Sequence, residues 1–213
     1  WEEILPKKSF MDIVGKYLFY KVEEVKIGDT KKKKETLIFP RYHQLDAVRN
    51  LQTDSKLNGV GKNYLIQHSA GSGKSNTITW LAYRLSSLHT KDDNRVFDAV
   101  VVITDRRILD KQLQDNIYQV EHKTGVVQKI DENSTQLAEA LTAGVPIIIT
   151  TLQKFPFIME KVGKLANRKY AVIVDEAHGS QTGESAKKLK EVLTATDLET
   201  AEKEESDNDS EED

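Results

Sequence analysis

The stretch Ile66-Gln67-His68-Ser69-Ala70-Gly71-Ser72-Gly73-Lys74-Ser75-Asn76-Thr77-Ile78 decides the fold. Residues 64–67 are a brief β-rich run, and residues 74–88 repeat apolar side chains at Ile78, Leu81, Ala82, Leu85 and Leu88 with helical spacing. Gly71-Ser72-Gly73-Lys74-Ser75 therefore sits between a predicted strand and a predicted helix. Glycines there let backbone N–H groups wrap a phosphate, and the helix amino end adds partial positive charge. Lys74 is placed to reach the outer phosphates of a nucleotide such as ATP, and Ser75 to ligate Mg²⁺. The first glycine of the common eight-residue pattern falls at His68, a departure that leaves the tighter core of the motif intact.

Such a loop needs a carboxylate partner for the metal, and the chain offers one 101 residues beyond Lys74. Val172-Ile173-Val174-Asp175-Glu176-Ala177-His178 is an apolar strand that ends in two adjacent acids. Asp175 is expected to hold Mg²⁺, and Glu176 to orient and deprotonate the water that attacks the terminal phosphate. An acidic pair after a strand more often caps the next helix; the glycine-lysine-serine loop reverses that reading. His178 has no further ligands at metal-binding spacing.

Outward from these motifs, strand and helix signals alternate. Residues 98–104, 145–151 and 170–174 are short buried-type strands, residues 106–120 place Leu109, Leu113 and Ile117 together, and residues 134–143 read as a helix ended by Gly144. Upstream, Pro40 is the expected first residue of a helix with Leu45, Val48 and Leu51 on one stripe. Strands separated by helices imply right-handed crossovers: an α/β fold with a mainly parallel sheet flanked by helices, its ligand site at the carboxyl ends of the strands.

Composition narrows the chemistry. The 213 residues contain no cysteine, which excludes disulfides, thiolate metal sites and a cysteine nucleophile. No apolar run approaches the roughly 20 residues of a membrane helix, and residues 1–8 lack a secretory core, so a cytoplasmic protein with no membrane partner is expected. The net charge of −3 conceals an asymmetry, since residues 197–213 hold ten acids and one lysine, a net −9 that leaves +6 elsewhere. That tail has too few apolar residues to offset ordering and is expected to be mobile. Residues 1–39 read as a lead-in: a helix begun by Ser9 and Asp12, a turn at Gly28-Asp29 and the solvated run Lys31 to Lys34. The opening Trp1 suggests that an upstream segment has been removed.

Taken together, the loop and Asp175-Glu176-Ala177-His178 resemble the first motor domain of DEAH-type superfamily 2 helicases and translocases, a RecA-like P-loop NTPase domain. Phe39-Pro40-Arg41-Tyr42-His43-Gln44 resembles that family's adenine-reading element, which implies that Arg41 and Gln44 join Gly71, Ser72, Gly73, Lys74 and Ser75 around the nucleotide. Residues 101–113, with Thr104-Asp105-Arg106-Arg107, and residues 149–155, with Thr151, resemble its nucleic-acid elements. The resemblance implies backbone contacts by Thr104, Arg106, Arg107 and Thr151, and a coupling role for His178. The wording of residues 41–48, 104–107 and 175–178 is similar to the restriction (R) subunit of type I restriction-modification endonucleases across about residues 40–193.

That resemblance implies a motor domain over residues 40–196, within a longer subunit that pumps duplex DNA before cutting and works with methyltransferase and specificity subunits. Glu24-Val25-Lys26 spells a nuclease E-x-K and Thr194-Ala195-Thr196 a coupling element. The first is a triplet that a lysine-rich chain produces by chance, and the second lacks the strand that should precede it. Another superfamily 2 translocase, or a module that uses ATP only as a switch, are the competing readings; Glu176 argues against a pure switch.

Overall fold

The central strands form because their residues suit burial on both faces. Ala99–Thr104 is Ala-Val-Val-Val-Ile-Thr, and Ile147–Thr151 is Ile-Ile-Ile-Thr-Thr; every one of these residues is buried. β-branched side chains pack well on a pleated surface covered from above and below. The computed structural model describes residues 4–27, 30–104, 113, 116–118, 120, 125–130, 134–151 and 168–175.

In chain order the elements are α1 (Lys7–Lys16), β1 (Phe19–Ile27), β2 (Thr30–Ile38), α2 (Tyr42–Asn58), α3 (Lys74–Ser86), β3 (Ala99–Thr104), β4 (Val127–Lys129), α4 (Ser134–Ala143), β5 (Ile147–Thr151) and β6 (Tyr170–Val174). β3 to β6 make a four-stranded sheet in the order β4-β5-β3-β6, with every pairing parallel. Alternate strand residues feed two cores. Val100, Val102, Ile147, Ile149 and Ala171 pack with Ile78, Leu81, Ala82 and Leu85 of α3 and with Leu45 and Val48 of α2. Val101, Ile103 and Ile148 pack on the other face with Leu137, Ala138, Ala140 and Leu141 of α4. The result is the helix–sheet–helix sandwich expected of an α/β fold.

Register sets the site. Thr104 of β3 pairs with Thr151 of β5, and Ile103 with Val174 of β6, while the Asp175 N–H donates to the Ile103 carbonyl at 2.9 Å. Side chains alternate along a strand, so Asp175, Thr104 and Thr151 share the face on which α3 packs, all at the carboxyl ends. α4 ends as expected, with Gly144 in a left-handed conformation, φ +70°, which other residues adopt at a steric cost. Arg168 donates to the carbonyls of Leu141 and Thr142 and so satisfies the helix end.

Three expectations change. Residues 64–67 form no strand; they run beside α2, with the Tyr64 hydroxyl donating to the Asp54 carboxylate and Leu65 82% exposed. Their β-branched and aromatic content suits a pleated, half-buried surface, but no strand among the described residues pairs with them. Second, α2 starts at Tyr42 rather than Pro40, with Arg41 as its N-cap, because the Gln44 Oε1 accepts from the Arg41 N–H at 2.8 Å and closes the first turn there.

Third, the lead-in is built into the core. Ile13, Tyr17 and Phe19 are buried against Trp80, whose indole N–H donates to the Tyr17 carbonyl at 2.8 Å. Asp12 lies 3.1 Å from Arg84 and 3.4 Å from Arg49. The extended connection is an antiparallel hairpin, β1 with β2, in which Glu23 pairs with Lys34 and Glu24 with Lys33. β4 was not legible in the sequence at all, since three residues carry no period. The expected turn at Gly28-Asp29, the helical residue Leu109, Thr194-Ala195-Thr196 and the acidic tail lie outside the described residues. No helix among the described residues is long and apolar enough to cross a membrane.

Candidate nucleotide-binding site

The loop before α3 takes a shape only glycine gives cheaply. Gly71 has φ +74° and Gly73 has φ +88°, both left-handed, and Gly73 is the N-cap of α3. Among the described residues no side chain caps this helix start. A 13-residue helix thus presents its amino end, with its partial positive charge, at the carboxyl edge of the sheet. A Cβ on Gly73 would stand 2.5 Å from Gln44 Nε2, so glycine is needed for space as well as conformation.

Lys74, the first residue of α3, reaches across to the sheet. Its Nζ lies 2.9 Å from Asp175 Oδ1, with the Asp175 side chain only 12% exposed. The two motifs separated by 101 residues therefore meet in one site. Ser75 follows Lys74 on the first turn, and its carbonyl accepts from the Thr79 hydroxyl at 2.8 Å. Thr104 and Thr151 are buried on the Asp175 face, and among the described residues no hydrogen-bond partner meets the Thr104 hydroxyl.

Gln44 ties α2 to the loop. It is 2% exposed, and its Nε2 donates to the Gly73 carbonyl at 2.9 Å and the Ser72 carbonyl at 3.3 Å. With Oε1 on the Arg41 N–H, both halves of the amide are bonded to protein in this conformation. The Arg41 side-chain position is exposed. Two residues not assigned a role from sequence also meet the loop: His43 and His68, whose rings lie 5.3 Å apart. His43 Nε2 is 3.2 Å from the Ser72 carbonyl and His68 Nδ1 3.3 Å from Ser72 Oγ. The available signal was that His68 stands where the loop pattern has its first glycine. Glu176, His178, Arg106 and Arg107 lie outside the described residues.

The donor set fits a magnesium triphosphate. One largely buried carboxylate, a hydroxyl on the first helical turn and a buried threonine hydroxyl without a partner among the described residues are oxygen groups of the kind Mg²⁺ accepts, and Mg²⁺ usually keeps waters and phosphate oxygens as its other ligands. Among the described residues no group of three His, Cys, Asp or Glu side chains forms an all-protein cage.

A phosphate loop at a helix amino end, joined by its lysine to an aspartate at the edge of a parallel sheet, defines a nucleotide-binding domain of the P-loop, RecA-like class. The SWI2/SNF2 ATPase family profile matches residues 43–198, and the chain belongs to that family. It is thus an ATPase-type domain with a helicase-like architecture. A protein of Methanocaldococcus jannaschii described as a type I restriction enzyme MjaVIIIP endonuclease subunit is 25% identical over 212 residues, covering 90% of this chain and 20% of that protein. The chain therefore spans about a fifth of the length of that relative. The solved UvsW helicase from bacteriophage T4 superposes with a TM-score of 0.53 at 18% identity, over 90% of this chain and 57% of that one, a likeness of fold.

Proposed function

We propose that this domain is an ATP-hydrolysing motor lobe of a DNA translocase, of the kind found in the restriction subunit of type I restriction-modification endonucleases. The observation that carries the reading is the 2.9 Å approach of Lys74 to Asp175 beneath a glycine-shaped loop. Lys74 binds the outer phosphates, and the loop backbone with the α3 amino end holds their charge. Bound to Ser75 and Asp175, Mg²⁺ supplies neutralisation of the charge that develops on the transferred phosphoryl group. Glu176, the next residue in the chain, orients the attacking water and takes its proton.

Duplex DNA is the proposed track, with Arg106, Arg107, Thr104 and Thr151 as candidates for backbone contact and His178 as a coupling residue between nucleotide and track. The burial of Thr104 and Thr151 on the Asp175 face favours a role in transmitting the state of the nucleotide site over direct exposure to DNA. Methyltransferase and specificity subunits are the proposed partners in a cytoplasmic complex; the resemblance of residues 41–48, 104–107 and 175–178 supports this.

The test is Glu176→Gln in the full-length parent protein. Steady-state ATP hydrolysis with duplex DNA should fall by about 10²- to 10⁴-fold, the usual contribution of a positioned base, while ATP affinity is retained. Unaltered hydrolysis would assign the base elsewhere, and hydrolysis indifferent to DNA would remove the translocase reading. The 213-residue chain by itself is expected to bind nucleotide with slow turnover, because the resembled family completes this site with an arginine from a second lobe, worth about 10³ to 10⁵ in rate.

A further inference from the structure

Ser72 of the phosphate loop is bonded on several sides. Its N–H donates to the Ser69 carbonyl at 3.2 Å, and its own carbonyl receives Gln44 Nε2 at 3.3 Å. The same carbonyl meets His43 Nε2 at 3.2 Å, and its hydroxyl meets His68 Nδ1 at 3.3 Å. A carbonyl oxygen only accepts, so His43 must carry its proton on Nε2. The hydroxyl can donate to or accept from His68. Two imidazoles, one from α2 and one from the loop, thus grip a single loop residue from two sides.

His68 has one further polar atom. Its Nε2 is buried with no hydrogen-bond partner among the described residues. A second proton there would have no partner among the described residues, in a ring 5.3 Å from that of His43 and within the electrostatic reach of the Lys74 ammonium; Asp175, just beyond β6, is engaged by Lys74. Burial first, then His43 and Lys74, hold the His68 imidazole below its ordinary value of 6.5, in the neutral form. A triphosphate seated at Lys74 reverses that balance. It brings several negative charges and a set of acceptor oxygens to the loop that His68 touches through Ser72, close enough to Lys74 to offset the charge that disfavours a second imidazole proton.

We propose that His43 and His68 are positioning residues that hold Ser72 and hence the shape of the phosphate loop, and that filling the loop with a triphosphate draws a solvent proton onto His68, whose Nε2–H then donates to a phosphate oxygen. The proposal deepens the nucleotide-binding reading and rests on it. The only bond formed on the protein is the N–H, and the proton comes from buffer.

Calorimetric titration with Mg·ATPγS at pH 7, in two buffers of different ionisation enthalpy, reads affinity and proton uptake separately. The wild-type chain should take up a large part of about one proton more than His68→Asn, a comparison that cancels the nucleotide's own protonation. Asn places a polar atom near the position of Nδ1 but cannot titrate or supply the Nε2–H, so that variant should bind a few-fold more weakly at pH 7, whereas His68→Ala, which also abandons Ser72, should lose about tenfold or more. His43→Gln, which restores a donor at the Nε2 position, should bind like wild type. Equal proton uptake in wild type and His68→Asn, with binding retained, overturns the proton linkage. His68→Ala with wild-type affinity overturns the positioning role. Absence of binding by the wild-type chain overturns the nucleotide reading and this inference with it.

Discussion

Lys74 Nζ and Asp175 Oδ1 stand 2.9 Å apart, which joins the first turn of α3 to the end of β6. The contact exists because α3 packs on the sheet face bearing Val100, Val102 and Ile173, and the strand period carries that same face on to Asp175. The lysine neutralises a carboxylate that is mostly withdrawn from water, and it stands where an outer phosphate would be met.

Replacing Lys74 by Ala should therefore weaken nucleotide binding by about 10- to 100-fold, the equivalent of roughly 1.5–3 kcal/mol for hydrogen bonds to a charged group. Calorimetry with Mg·ATPγS reads the loss, and far-ultraviolet circular dichroism should stay unchanged. Wild-type affinity in the variant would detach the loop from the nucleotide.

Gln44→Ala removes donors from two loop carbonyls and an acceptor from the Arg41 N–H. Urea denaturation should show a loss of about 1–3 kcal/mol for these abandoned groups. Since both ends of the amide serve the protein, ATP and GTP affinities should fall together. A fall confined to ATP would mean that the amide leaves these partners to read the adenine edge.

Gly73→Ala meets both a left-handed backbone and Gln44 Nε2 at 2.5 Å, whereas Gly71→Ala meets only the backbone term, with nothing within 4 Å of the added carbon. We expect about 1–2 kcal/mol of destabilisation at Gly71 and more at Gly73, with nucleotide binding lost at Gly73 through the displaced Gln44. Equal denaturation midpoints for the two variants would refute the close approach.

Asp12→Ala leaves Arg84 and Arg49 without their shared carboxylate and should loosen α1 from Trp80. The expected cost is about 1–3 kcal/mol for the unpaired, largely buried cation at Arg84. Nucleotide affinity should not change, because the polar contacts of α1 go to Arg49 and Arg84 rather than to the loop. Proteolysis should attack the residues around α1 sooner in this variant than in wild type.

The neutral His68 also gives the fold a pH signature. The unfolded chain takes its proton near 6.5 and the folded chain only at lower pH, so between those values the unfolded state holds more protons. Stability due to this group is complete above about 6.5 and declines as the pH falls below it. Chemical denaturation from pH 7.5 to pH 5 should show a smaller decline in His68→Asn than in wild type; identical slopes would place the protonation elsewhere.

Much of this was legible because it is local. Ala99–Thr104, Ile147–Thr151 and Tyr170–Val174 are runs of β-branched and other apolar residues, and α4 begins and ends where its pattern and Gly144 place it. The phosphate loop and Asp175 were legible because a glycine-lysine-serine turn and a strand ending in an acid constrain the chemistry of their immediate neighbours. Residues 64–67 misled for the same reason: their composition suits a strand, and pairing is a property of the partner. The role of Gln44 as a tie to Ser72 and Gly73 could not be read, since a glutamine on a helix's first turn looks the same whether it faces a base or a backbone.

The chain itself thus determined the alternation of elements, the conformations at Gly71 and Gly73 and the identity of the charged pair, all of which follow from side-chain volume, periodicity and backbone sterics over a few residues. Only packing decided that α1 enters the core, and that two histidines close on Ser72. Those outcomes join residues far apart in the chain, 63 positions between Tyr17 and Trp80 and 72 between Asp12 and Arg84, and such contacts arise from how elements bury their faces against one another.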